Sequence, residues 1–199
     1  HDSEVAETIA LLLDDLYFRR AVEPFVKPFT WEQFSAAMSS CNSKQDFQRN
    51  IIYPVMHKLI DRTTTEMKGY GWENGDEQHN HLYVSNHRDI VLDAAFLNIL
   101  MFDKGKPTTE IAIGDNLLIY PWIEKLVRLN KSFVVKRGVS VRQMLEASTH
   151  LSRYIHHTVF ERAQPVWIAQ REGRAKDSND KTQVSLLKML TLHDSTHPV

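Results

Sequence analysis

Apolar positions in the first third of the chain recur with the period of an α-helix. Val5, Ile9, Leu12, Leu13, Leu16 and Tyr17 share one stripe, which predicts a helix over 4–20. Pro24 and Pro28 interrupt the next segment. Thr30 is placed to cap a short helix to about Met38. Ser43 opens a longer one to about Lys68, with Phe47, Ile51, Ile52, Val55, Met56, Leu59 and Ile60 in phase. Pro54 lies inside that stretch and is expected to kink or split it. Gly69 to Asn80 is polar and rich in Gly, Asp and Glu, and reads as a linker. Beyond it the period changes. Short β-like runs at 81–85, 108–113, 132–136 and 165–169 alternate with helical patterns at 90–103, 116–129 and 140–161. In the last of these, Ser140 and Gln143 have capping-box spacing, and Val141, Met144, Leu145, Leu151 and Ile155 line one face with the small Ser148. A final helix is expected from about Lys181 to Leu192. Strand–helix alternation of this kind predicts an α/β fold with a mostly parallel central sheet and crossover helices, preceded by a helical N-terminal subdomain. The expected division is 1–78 for the helical subdomain and 79–199 for the α/β domain.

Composition narrows the class. The chain has 199 residues, 42% apolar and 25% charged, which is ordinary for a soluble globular chain. A net charge of −1 gives no global case for nucleic acid as a partner. Cys41 is the single cysteine, so no internal disulfide forms, and this fits a reducing compartment. No run of about 18 apolar residues exists to span a bilayer, and no signal-peptide pattern is present.

Three strand ends carry candidate chemistry. Strand 82–84 runs into Ser85-Asn86-His87-Arg88-Asp89, with Asp93 downstream. In open α/β sheets ligands gather at that edge. A histidine there can take a proton from an alcohol, given a carboxylate to fix its tautomer, and Asp93 or Asp89 can supply it. The second strand end is Val134-Val135-Lys136-Arg137-Gly138, two cations suited to a phosphate, with arginine giving the bidentate grip. The third is Ile168-Ala169-Gln170-Arg171-Glu172-Gly173-Arg174, where Arg171, Arg174 and Lys176 add anion contacts and Glu172 can orient them or bind a hydroxyl. Each motif alone also fits a capped helix start or a solvated turn. Together at one sheet edge they give a base and an anion site, which suits acyl transfer to a phosphate-bearing alcohol.

These residues resemble the glycerolipid acyltransferases, the 1-acyl-glycerol-3-phosphate acyltransferase superfamily, over about residues 80–192. The family's first block is Asn-His, four residues, then Asp. Here Asn86-His87 matches, and Asp93 follows after five intervening residues, preceded by apolar Ile90-Val91-Leu92, so Asp93 is favoured over Asp89. Phe133 to Gly138 looks like the second block, and the resemblance makes Arg137 the phosphate-binding arginine beside Lys136. Glu172-Gly173-Arg174 resembles the third block without its Phe-Pro and threonine. A lysine often found near the intervening strand end is replaced by Ile113-Gly114-Asp115. The fourth block is not reached by Val199, so the α/β domain is expected to be truncated at its C-terminus. The resemblance implies that His87, oriented by Asp93, deprotonates the acceptor hydroxyl of a (lyso)glycerol phosphate. The acyl donor is acyl-CoA or acyl carrier protein, with no cofactor and no metal. Arg137 with Arg174 holds the phosphate. The resemblance also implies peripheral attachment at the cytoplasmic face of the membrane. Leu117 to Ile123 are candidates to line an acyl groove, to touch that membrane, or simply to pack as core.

Two other classes fit parts of the pattern. Glu77, His79, His81, His87, Asp89 and Asp93 are dense in metal-type ligands, as in a metal-dependent hydrolase, although no zinc spacing is met. The altered third block and missing fourth also fit a non-catalytic lipid-binding relative.

Overall fold

The computed structural model describes residues 1–75, 80–138, 140–177 and 181–193. The N-terminal region is helical. α1 (Val5–Leu13) and α2 (Leu16–Val26) stand where one helix over 4–20 is predicted. Asp15 makes the break: its carboxylate accepts from the Tyr17 and Phe18 amides and starts a new helix, leaving Leu16 and Tyr17 exposed rather than on the buried stripe. α2 also runs through Pro24 and stops at Lys27, which the adjoining Pro28 holds extended. α3 (Trp31–Ser39) begins with a capping box between Thr30 and Gln33.

The stretch after Ser43 runs as three successive helical pieces, in line with a split, and ends at Thr63 rather than at about Lys68. α4 (Lys44–Phe47) passes into a π-helical turn, Gln48–Ile52, and then α5 (Tyr53–Thr63). Tyr53 N donates to Gln48 O, five residues back, and Pro54 sits in the first turn of α5, where its missing N–H costs least.

The sheet and its helices come next: β1 (Leu82–Ser85), α6 (Leu92–Asp103), β2 (Glu110–Gly114), α7 (Pro121–Leu129), β3 (Ser132–Val135), α8 (Val141–His156), β4 (Val166–Ala169) and α9 (Val184–Leu190). α7 is shorter than the predicted 116–129. A 3-10 turn, Asp115–Leu117, comes first, and the helix waits for Pro121 in its first turn. α8 ends in a π turn at His157–Glu161 rather than continuing as α-helix to 161.

The chain forms two compact units. One comprises His1–Met67 and Asn116–Ser132, and the other Lys68–Asp115 and Phe133–Val199. The first is built on Val5, Ile9, Leu12, Phe18, Met38, Phe47 and Ile51, with Leu129 of α7 buried among them and Trp122 and Leu126 packed against them.

The second unit holds the parallel sheet, in the order β1-β4-β2-β3. Leu82 pairs with Val166 and Ser85 with Ala169, while Glu110 pairs with Val166 on the other side. Side chains of β4 alternate between faces. Val166 and Ile168 pack with Phe133, Ile155, Val159, Met189 and Leu190. Trp167 packs with Ala94 and Ile111 on the opposite face. The β1-to-β2 and β3-to-β4 connections cross the sheet in opposite directions, so right-handed crossovers put α6 and α8 on opposite faces. Four strand C-termini then open at one edge.

Only part of the predicted α8 stripe is covered. Ile155 is fully buried, but Met144 and Leu145 remain 53% and 63% exposed. The side chain of Val141 lies outside the described residues, as do Glu77 and His79.

Candidate active site

The turn after β1 organises itself through two aspartates. Asp89 Oδ1 accepts from the amides of Val91 and Leu92, both at 2.8 Å, and so caps the start of α6. Those two amides hold its carboxyl below the usual carboxylate range, with smaller contributions from the nearby charges of Arg174 and His87. Ile90 and Val91, predicted as helix, form the turn this cap closes, and α6 starts at Leu92. Asp93, one residue inside the helix, reaches back. Its Oδ2 lies 2.9 Å from His87 Nδ1 and accepts from the amides of Arg88 at 2.8 Å and Asp89 at 3.1 Å. The carboxylate facing His87 is therefore that of Asp93, while Asp89 is occupied as a cap. The His87 ring is held in part by Trp167, edge-to-face at a centroid distance of 6.2 Å. Trp167 Nε1 in turn donates to Ser85 Oγ at 3.0 Å. Nδ1 is thus the ring nitrogen of His87 that faces the carboxylate.

The loop after β4 joins this turn to the cations. Ala175 N donates to the His87 carbonyl at 2.7 Å. The same loop presents Glu172, whose Oε1 lies 3.9 Å from Arg137 Nη1. That ion pair is long and exposed on the Glu172 side, so it orients the guanidinium at little energetic cost to exchange for another anion. Arg137 N donates to Asp115 Oδ1 at 3.2 Å, which fixes the strand end from β2. Gly173 adopts φ +72°, a left-handed conformation that a side chain resists. Glu172 N donates to Gln183 Oε1 at 2.9 Å, and Gln183 N to Gln170 O at 2.9 Å, so the lead into α9 braces the loop.

The fold thus joins His87 with Asp93 and Arg137 with Glu172, and links the two pairs through 172–175. Arg174 is exposed and adds its charge near Asp89. Lys136 is exposed and lines a groove beside β3. Asp115 and Trp167 were not singled out by sequence. The signal for Trp167 was there: an indole N–H in a buried strand needs an acceptor. Leu117 to Ile123 lead into α7 of the first unit, and none of them lines the groove of the second. Among the described residues no group of three His, Cys, Asp or Glu is placed to hold a metal ion. Among them also no helix is long and apolar enough to cross a membrane.

Neither the curated proteins nor the solved structures give a match to this chain. A protein-family model does: the one described as Acyltransferase matches residues 66–189, more than half of the chain. The match runs from before β1 into α9 and contains all three strand-end motifs. The order of those motifs along the sheet and the extent of the match agree, and the chain belongs to the Acyltransferase family, the glycerolipid acyltransferases, and is an acyltransferase.

Proposed function

We propose that the protein moves a fatty acyl group from acyl-CoA or acyl carrier protein to the hydroxyl of a (lyso)glycerol phosphate. His87 Nε2 takes the hydroxyl proton as that oxygen attacks the thioester carbonyl. The C–S bond of the tetrahedral intermediate then breaks, and the leaving sulfur takes the proton back from the imidazolium. Asp93 holds the tautomer with the proton on Nδ1 and offsets the charge that appears on the ring. Arg137, Arg174 and Lys136 hold the acceptor's phosphate, and Glu172 with Gly173 sets their loop. The reaction in this form uses neither a metal nor a covalent acyl-enzyme. Peripheral attachment at the cytoplasmic membrane face belongs to the same proposal, because the acceptor is a lipid.

The observation that carries this reading is the 2.9 Å contact of His87 Nδ1 with Asp93 at a sheet edge that also presents Arg137. General-base assistance is worth about 10²–10⁴-fold in rate. His87→Ala is therefore expected to lower thiol release from acyl-CoA in the presence of lysophosphatidate by that factor, with an unchanged circular dichroism spectrum. Parental turnover by the variant removes His87 from the reaction. No thiol release by the parent with either donor supports a non-catalytic lipid-binding role instead.

A further inference from the structure

Trp167 stands inside the sheet, on β4 between β1 and β2. Register sets it opposite Tyr83 of β1 and Ile111 of β2, on the face where Ala94 and Leu97 of α6 pack. It is 4% exposed. A large apolar residue of another kind would fill that space as well. The contacts of the indole go further, because they reach both ends of the His87–Asp93 pair. Its ring meets the His87 imidazole at 6.2 Å, with the planes inclined by 70°. Ala94, in the same cluster, directly follows Asp93. The indole N–H donates to Ser85 Oγ at 3.0 Å, and the Ser85 hydroxyl donates to the Asn86 carbonyl at 3.0 Å. Ser85 and Asn86 are the residues that carry the strand into His87. The far part of α6 is tied to the entry of β2 without Trp167, since Asn98 Oδ1 accepts from the Thr109 amide at 2.6 Å and its hydroxyl at 3.0 Å. The indole is thus wedged between the strand end that holds the imidazole and the helix start that holds its carboxylate.

We propose that Trp167 is a positioning residue for the acyl transfer. Its ring sets the tilt of the His87 imidazole, and its N–H, through Ser85, holds the turn that carries that ring. Asp93 fixes one ring nitrogen, and the indole supplies the wall behind it. The proposal rests on the general-base reading of His87 under Proposed function and adds to it a residue from within a strand. Because the alignment of the pair counts when the proton moves, its loss is read in kcat rather than in KM.

The experiment measures thiol release from acyl-CoA with lysophosphatidate in the parent, Trp167→Phe, Ser85→Ala, the double variant and Ser85→Thr. Trp167→Phe keeps a ring and loses the N–H. Ser85→Ala removes only the acceptor, which covers the case in which the buried Trp167→Phe misfolds. A misplacement of about 1 Å can cost about 10²-fold, so a loosened ring is expected to lower kcat about ten-fold in each single variant, with both KM values unchanged. The double variant is expected to be no worse than the worse single one, because both remove the same hydrogen bond. Ser85→Thr keeps the hydroxyl and is expected to keep the parental kcat. A second readout needs no substrate. A charged imidazole in contact with an indole quenches its fluorescence, and histidines charge between about pH 8 and pH 5. A fall in emission over that range is expected in the parent and is expected to be lost in His87→Ala and in Trp167→Phe. An active parent whose two single variants keep its kcat, or lose it additively, overturns the positioning role and leaves the acyl-transfer reading standing. So does an emission change that His87→Ala leaves in place. A parent that releases no thiol overturns the general-base reading and the positioning role with it, and a His87-dependent emission change then shows that the chemistry failed and the contact did not.

Discussion

Two aspartates four residues apart do different work in the turn after β1. Asp89 is spent on backbone amides at the start of α6, and Asp93 faces the imidazole. Substitution therefore separates stability from turnover. Asp89→Ala is expected to cost about 1 kcal/mol, as for the loss of a helix cap, and to lower the melting temperature by about 2–4 °C. Asp93→Asn keeps an oxygen for the Arg88 and Asp89 amides but removes the charge that stabilises an imidazolium. It is expected to lower kcat about 10²-fold or more, read by single-turnover acyl transfer. The acid limb of stability carries the signature of the cap. Asp89 titrates below its unfolded value near 3.9, because the Leu92 and Val91 amides favour the charged form. Its contribution is present above that value and is lost as pH falls through the depressed folded one. Denaturant midpoints tracked from about pH 5 down to pH 2 should fall less steeply in Asp89→Asn than in the parent.

Among elements, the loop after β4 and helix α8 each lean on one residue. The loop depends on Gly173 at φ +72°. A Cβ there meets nothing within 4 Å, so the penalty of Gly173→Ala is conformational, about 1–2 kcal/mol. Its second effect is expected at Arg137, through displacement of Glu172, as a higher KM for the phosphate-bearing acceptor. α8 is anchored far from the site by Tyr154, whose phenol is pushed up to about 12 by burial and by Glu110. Because the folded value lies above the unfolded one near 10, stability present below pH 10 is lost as pH rises towards 12. Phenolate absorbance that appears only with alkaline unfolding, and its loss in Tyr154→Phe, would register this. The elements themselves were legible because hydrophobic period distinguishes strand from helix, and each β-like run holds one strand, although their order in the sheet, β1-β4-β2-β3, is not their order along the chain. What periodicity does not carry is the destination of an amphipathic face. α7 reads like any crossover helix, yet Leu129 is buried with Val5 and Ile9 in the first unit. Met144 and Ile155 share a stripe, yet one lines a groove and the other is core. Asp89 and Asp93 are both within reach of His87 by count, and only the competing cap amides divide them.

The whole chain is nearly neutral at −1, but its charges are not spread evenly. The loops leaving β1, β3 and β4 carry Arg88, Lys136, Arg137, Arg171, Arg174 and Lys176. Of the acids beside them, Asp89 and Asp93 accept backbone amides, Asp115 accepts the Arg137 amide, and Glu172 faces the Arg137 guanidinium. Parallel topology gathers these loops at one edge, where six cations stand against Asp89, Asp93, Asp115, Glu172 and Asp177, so a protein without net positive charge carries a small positive excess, and with it a positive field, at the edge proposed to bind the acceptor. Such a field raises the local concentration of an anionic substrate and is screened over about 10 Å at 0.1 M salt. Raising NaCl from about 0.05 to about 0.5 M is therefore expected to lower kcat/KM for a phosphate-bearing acceptor several-fold, with kcat little changed, since in the proposed reaction the proton transfer at His87 follows capture. Arg174→Gln removes one exposed charge without touching the His87–Asp93 pair and should flatten that salt dependence. If the edge does not act through its field, the parent and Arg174→Gln will show the same salt slope, and the cations act only by direct contact.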